Sequence, residues 1–118
     1  MKMINNSQES QQIYALSDPR DGLIYYVGKS GDAERRFYLH LHGYNGRREK
    51  KWIRELHLLG MTPILLILEV IHVGPKVHRT THERERYWIE EMLRRGQPLL
   101  NVHGVTRSFP RHGRVPGS

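Results

Sequence analysis

Two short words in the chain carry side chains suited to a phosphodiester: Gln12-Ile13-Tyr14 and Tyr26-Val27-Gly28-Lys29. Arg36 and His40 follow, four residues apart, so they share one stripe of a helix. A planar guanidinium neutralises phosphoryl oxygens, and phenols and imidazoles relay protons. Such a group can hold a phosphodiester, but cutting one needs an acid from elsewhere in the chain. Glu85 is the candidate. It precedes Ile89 by four residues and Met92 by seven, which places it on the apolar stripe of its helix. A carboxylate on that stripe must be paired, protonated or bound to a metal. One reading is an ion pair with Arg36 or another arginine. The other is a hard oxygen ligand for Mg²⁺ or Mn²⁺. Periodicity does not choose between them.

The elements that position these residues follow from pattern. Gln12 to Ser17 reads as a strand, Asp18 to Gly22 as a Pro/Gly turn, and Leu23 to Gly28 as the return strand of a hairpin. Alternation predicts Leu23, Tyr25 and Val27 on one face, with Ile24, Tyr26 and Gly28 on the other. Ser30-Gly31-Asp32 caps a helix that ends near Gly43 and turns Phe37 and Leu41 to the core. Gly43 to Gly46 is a loop by composition. A second helix spans about Arg47 to Leu59, with Trp52, Ile53, Leu56 and Leu59 as its apolar face. Its basic run (Arg47, Arg48, Lys50, Lys51, Arg54) fits either a solvated face or a surface that tracks phosphates. Ile64 to Ile71 is almost wholly aliphatic and reads as a strand buried on both faces, interrupted by Glu69. Thr80 and Glu83 form a candidate capping box for a last helix running to Arg95, and Leu99 to Val102 is a short apolar piece.

The expected organisation is one domain over residues 11–102, a flexible segment over 1–10 and a basic flexible tail over 103–118. The formal charge is +7 with the eight histidines neutral. A small domain this basic most often meets a polyanion, nucleic acid above all. The chain contains no cysteine, which excludes thiolate metal sites, disulfides and a cysteine nucleophile. The longest apolar run, Ile64 to Leu68, is far too short to span a membrane. Gly28-Lys29-Ser30 resembles the end of a phosphate-binding loop, but five residues separate it from Gly22 where the motif needs about four, and those five read as a strand. No nucleotide cofactor is expected. His82-Glu83-Arg84-Glu85-Arg86 lacks the second histidine of a zinc-protease helix.

Taken together, the pattern resembles the GIY-YIG nuclease family. Gln12-Ile13-Tyr14 stands for the first signature, with Gln where the family usually has Gly, and Tyr26-Val27-Gly28 stands for the second. Arg36, His40, Glu85 and Asn101 match the helix arginine, a His/Tyr position, the metal-binding glutamate and a late asparagine, and Lys29 matches a lysine found in some members. The two tyrosines are twelve residues apart, one more than expected, which the Asp18 to Gly22 turn can absorb. Neither departure removes a catalytic side chain, so an active enzyme is expected.

The resemblance implies an α/β (α+β) fold: a small three-stranded, mainly antiparallel sheet flanked by helices. It implies a divalent-metal-dependent endonuclease acting on DNA, one strand per active site, intracellular and of phage, mobile-element or bacterial type. Glu85 would hold Mg²⁺, with Mn²⁺ as a substitute. Arg36 would neutralise the phosphoryl group, Tyr14 or Tyr26 would take a proton from water, and His40 would accept it onward or orient a tyrosine. Gly28, Lys29, Asn101, Arg47, Arg48, Lys50 and Lys51 would contact the substrate. Cutting both strands would require a dimer or sequential nicks. The alternative is a non-catalytic basic module that binds DNA or RNA on the same fold.

Overall fold

The computed structural model describes residues 10–72 and 74–101. Of the two expected flexible ends, the first nine residues and the tail over 103–118 lie outside these, as does Val102 of the expected domain, while Ser10 opens the first strand. Strands β1 (Ser10–Ser17), β2 (Ile24–Ser30) and β3 (Ile64–His72) form one antiparallel sheet in the order β2-β1-β3. Helices α1 (Ala33–Leu41) and α2 (Arg47–Leu58) follow the hairpin, and α3 (Val77–Arg94) follows β3.

Two cores separate the faces of the sheet. On one, Ile13, Ala15 and Val27 meet Ile89 and Met92 of α3 together with Leu99. On the other, Tyr14 and Leu16 meet Ala33 of α1 and Trp52, Ile53 and Leu56 of α2.

Strict alternation fails in β2. Leu16 pairs with Tyr26 but Ser17 pairs with Ile24, so Tyr25 is a bulge residue. The extra residue puts Tyr25 on the same side as Tyr26, where its ring stacks on Trp52 at 4.9 Å.

The aliphatic strand is likewise not buried on both faces. β3 is an edge that pairs only with β1, and α3 packs chiefly over β1 and β2. Ile64, Leu66, Ile67 and Val70 are therefore exposed. Glu69 ties this edge down by accepting from Arg84 Nε and Trp88 Nε1, each at 2.9 Å.

Leu59 lies beyond α2 and is exposed rather than part of its apolar face. The last helix starts a turn earlier than its capping pattern predicts. Val77 opens it, Thr81 donates to the Val77 carbonyl, and Glu83 pairs with Arg79 instead of capping.

The hairpin turn is an anchor as well as a connection. Asp18 is fully buried, and it accepts from the Arg20 backbone and guanidinium and, at 2.8 Å, from Trp52 Nε1. The Arg20 bond foremost, then Trp52, overcomes the opposing effect of burial and holds the carboxyl at about 2 instead of 3.8. A carboxyl depressed in the folded state stabilises the fold above its unfolded value and loses that contribution as pH falls through its folded value. Urea titrations should therefore show about 2 kcal/mol of stability disappearing through Asp18 as pH drops from 3.8 toward about 2. Asp18→Asn should remove that share of the acid loss; an unchanged acid slope would contradict the assignment.

Candidate active site

The site begins with a cross-strand pair, Tyr14 opposite Gly28. A Cβ at position 28 would lie 2.7 Å from Tyr14 Oη and 2.8 Å from Tyr26 Cε1. The glycine of the second signature thus makes room for both tyrosine rings, which stack 5.9 Å apart. Helix α1 docks against them from its first turn. Asp32 accepts from Arg35 N at 3.1 Å, and Gln12 Oε1 accepts from Ala33 N at 2.7 Å. Gln12 thereby gives the departure from glycine a use: it satisfies a backbone N–H at the start of α1, which otherwise lacks a partner within the helix.

With its start fixed, α1 brings the Arg36/His40 stripe to the tyrosines. His40 is only 1% exposed, its Nε2 lies 2.9 Å from Tyr14 Oη, and the Tyr26 ring meets it edge-on at 4.6 Å between centroids. Burial drives the Tyr14 hydroxyl far above the ordinary phenol range, Tyr26 beside it adds to that, and Arg36 opposes both. Tyr26 is raised too, first by burial, with Tyr14 and Arg36 lowering it and Glu49 and Glu85 raising it. Burial lowers His40, aided by Arg36 and opposed by Asn45 and Glu49. The resting cluster is therefore two neutral phenols, a neutral imidazole and a guanidinium cation.

The acid arrives from the other side of the edge strand β2. α3 packs on the opposite sheet face from α1, yet Glu85 lies 4.0 Å from Lys29 Nζ and its charge reaches Tyr26. Its side chain is 20% exposed, so it borders the site instead of being sealed in the core. Lys29, not Arg36, is its ion-pair partner here.

The free edge of β2 is strapped by the segment after α3. Gln97 Oε1 accepts from Ile24 N, Leu100 N donates to the Tyr25 carbonyl at 2.8 Å, and Asn101 Nδ2 donates to the Val27 carbonyl at 2.9 Å. Asn101 Oδ1 is buried with no partner among the described residues. The residue lines a cleft of about 560 Å³ together with Leu100 and the start of α2, Gly46 to Glu49. Arg47 and Arg48 thus reach the site's border, while Lys50, Lys51 and Arg54 continue an exposed basic face along α2.

Two residues that belong to this cluster are absent from the sequence reading. Asn45 donates from Nδ2 to the His40 carbonyl and presents Oδ1 to His40 Nδ1, both at 2.6 Å. Glu49 is buried, and its carboxylate folds back to within 2.5 Å of where a Gly46 Cβ would stand. An acid three residues after a helix N-cap is a legible signal; the return of Asn45 onto His40 has none.

Comparison with protein-family models gives a match to the GIY-YIG catalytic domain over residues 10–97. The chain belongs to the GIY-YIG family. Membership carries nuclease-type activity in general, and the three-stranded antiparallel sheet with three helices agrees with it. Comparisons with curated proteins and with solved structures give no match. The GIY-YIG match includes Tyr14, Tyr26, Arg36, His40 and Glu85, whereas Asn101 lies just beyond it. Among the described residues no helix is long and apolar enough to cross a membrane.

Proposed function

We propose that this GIY-YIG domain is a divalent-metal-dependent endonuclease that hydrolyses DNA phosphodiesters, one strand per active site. The observation that carries this reading is the buried Tyr14–His40 hydrogen bond, with the Tyr26 ring edge-on against His40 and the Arg36 charge acting on all three. A fold that only had to be stable gains little from burying a phenol and an imidazole beside a second, half-buried phenol and an arginine.

Among the described residues no three His, Cys, Asp or Glu side chains form a metal cage. That disfavours a structural zinc-type site. It fits Mg²⁺, which binds through one or two carboxylates, with water and substrate phosphate oxygens completing its shell. Glu85 is the accessible carboxylate of the site and would be that ligand. When bound, the ion supplies charge neutralisation at the phosphate and an acidified water.

The chain's own residues do the remaining work. Arg36 faces the tyrosine hydroxyls and is placed to neutralise a phosphoryl group laid over them. Tyr14 accepts a proton at Oη as it gives its own to His40 Nε2. Asn101 positions the β2 backbone beneath the substrate. The basic face of α2 tracks the DNA backbone away from the cut.

The test is incubation with Mg²⁺ and a panel of supercoiled plasmid, linear duplex, branched DNA, single strands and RNA. Nicking of at least one DNA form is expected, abolished by EDTA; cleavage of RNA alone would replace this reading. Changing Arg47, Arg48, Lys50 and Lys51 together to Gln should weaken DNA binding and flatten the slope of log K against log salt by about 3–4. An unchanged slope would move the DNA path to another surface.

A further inference from the structure

We propose that Asn45, in the turn between α1 and α2, is a positioning residue that holds His40 as its Nδ1–H tautomer and so makes Nε2 the acceptor of the Tyr14 proton. The proposal rests on the nuclease reading for its catalytic consequence, but its structural core stands alone.

Gly43, at φ +96°, turns the chain back on the end of α1. Asn45 then lies against His40 in a two-point clasp. Its Nδ2 donates to the His40 carbonyl at 2.6 Å, which fixes which way the amide points. Oδ1 is thereby left 2.6 Å from His40 Nδ1. An amide oxygen only accepts, so Nδ1 must carry the hydrogen. A neutral imidazole has one N–H, so Nε2 holds the lone pair, and the contact at 2.9 Å is Tyr14 donating to His40. In the opposite tautomer Nε2–H would point at Tyr14 Oη, and the Tyr14 proton could not pass to His40.

The groups facing the imidazole are Tyr14 from β1, Tyr26 from β2, Arg36 from its own helix and Glu49 from α2. None of these competes for Nδ1, which leaves the tautomer in the hands of Asn45.

The experiment is ¹⁵N NMR of histidine-labelled protein near pH 8, paired with single-turnover cleavage in Mg²⁺. Wild type should show His40 protonated at Nδ1 and bare at Nε2. Asn45→Leu should lose that tautomer and slow cleavage by about 10–100-fold, as expected for a residue orienting a functional histidine, with DNA affinity unchanged. Asn45→Asp keeps an acceptor at Nδ1 and so should keep the tautomer. Its negative charge raises the histidine pKa, so the acidic limb of the pH–rate profile should move to higher pH. A wild-type His40 protonated at Nε2, or an Asn45→Leu protein with an unchanged tautomer, would overturn the proposal. If wild type shows the expected tautomer but cleaves no nucleic acid, the nuclease reading fails and the tautomer assignment survives.

Discussion

Tyr14→Phe lowers the single-turnover cleavage rate by about 10²–10⁴-fold, the range of a lost proton-transfer group, and leaves DNA binding in place. The reasoning starts from protonation. Both site tyrosines are raised above the ordinary phenol value of 10.0, so neither is a phenolate near neutral pH. A neutral phenol can take a proton from water only while passing on its own. Tyr14 has an acceptor for that proton, His40 Nε2 at 2.9 Å. Tyr26 ionises more readily of the two, because the contact between their hydroxyls raises Tyr14 and lowers Tyr26. It faces the His40 ring edge-on, however, and a proton passing from Tyr26 to His40 Nε2 would go through the Tyr14 hydroxyl. Removing the Tyr14 hydroxyl therefore stops the relay whichever phenol meets the water. Tyr26→Phe then separates the two routes: a similar loss makes Tyr26 the first member of the chain, and a loss below about tenfold makes Tyr14 the base itself. Phenylalanine keeps the ring that packs in the core but strands Nε2, a cost of about 1–3 kcal/mol. Thermal melts must accompany the kinetics. A folded Tyr14→Phe protein that cuts at more than a tenth of the wild-type rate would remove Tyr14 from the chemistry.

The sequence exposes this site unevenly, for physical reasons. Arg36 and His40 are legible because helical periodicity depends on spacing alone. Glu85 is legible as a carboxylate on an apolar stripe, and the structure makes sense of the anomaly: that stripe runs past Lys29 near the end of β2, so an inward-facing acid reaches the site instead of the core interior. The side on which Tyr25 falls is not legible, since a bulge adds a residue without any special residue type to mark it. The exposure of β3 is hidden for a related reason. An aliphatic run reports a strand's preference for burial, while strand order and helix placement decide whether cover exists. Asn45 and the buried Asp18 are beyond reach altogether. Polar residues in turns are expected on any surface, and only folding reveals that one clasps a histidine and the other a tryptophan.

The second large effect concerns Glu85→Ala. Its ion pair with Lys29 spans 4.0 Å and is partly exposed on both sides. Pairs of that kind contribute roughly 0–1 kcal/mol, so the variant should fold with a melting curve close to wild type. Its cleavage should nevertheless fall by about a thousandfold or more, because a divalent ion at the phosphate supplies several kcal/mol of charge stabilisation. Among the described residues no group of three or more His, Cys, Asp or Glu side chains could hold the ion in its place. Glu49, a buried acid whose charge also reaches Tyr26, is folded back over Gly46. Activity alone does not separate a lost metal ligand from a displaced helix, so metal binding must be read directly. In the presence of uncut DNA, Mn²⁺ should broaden the NMR signals of residues around Lys29 and Glu85 in wild type and leave them sharp in Glu85→Ala. DNA affinity should be unchanged or slightly higher, since the substitution removes a negative charge beside the phosphate path and frees Lys29. Full cleavage by the variant would exclude Glu85 as the ligand. Lost cleavage with Mn²⁺ broadening retained would instead make Glu85 a residue that acts on Tyr26 and Lys29 through its charge.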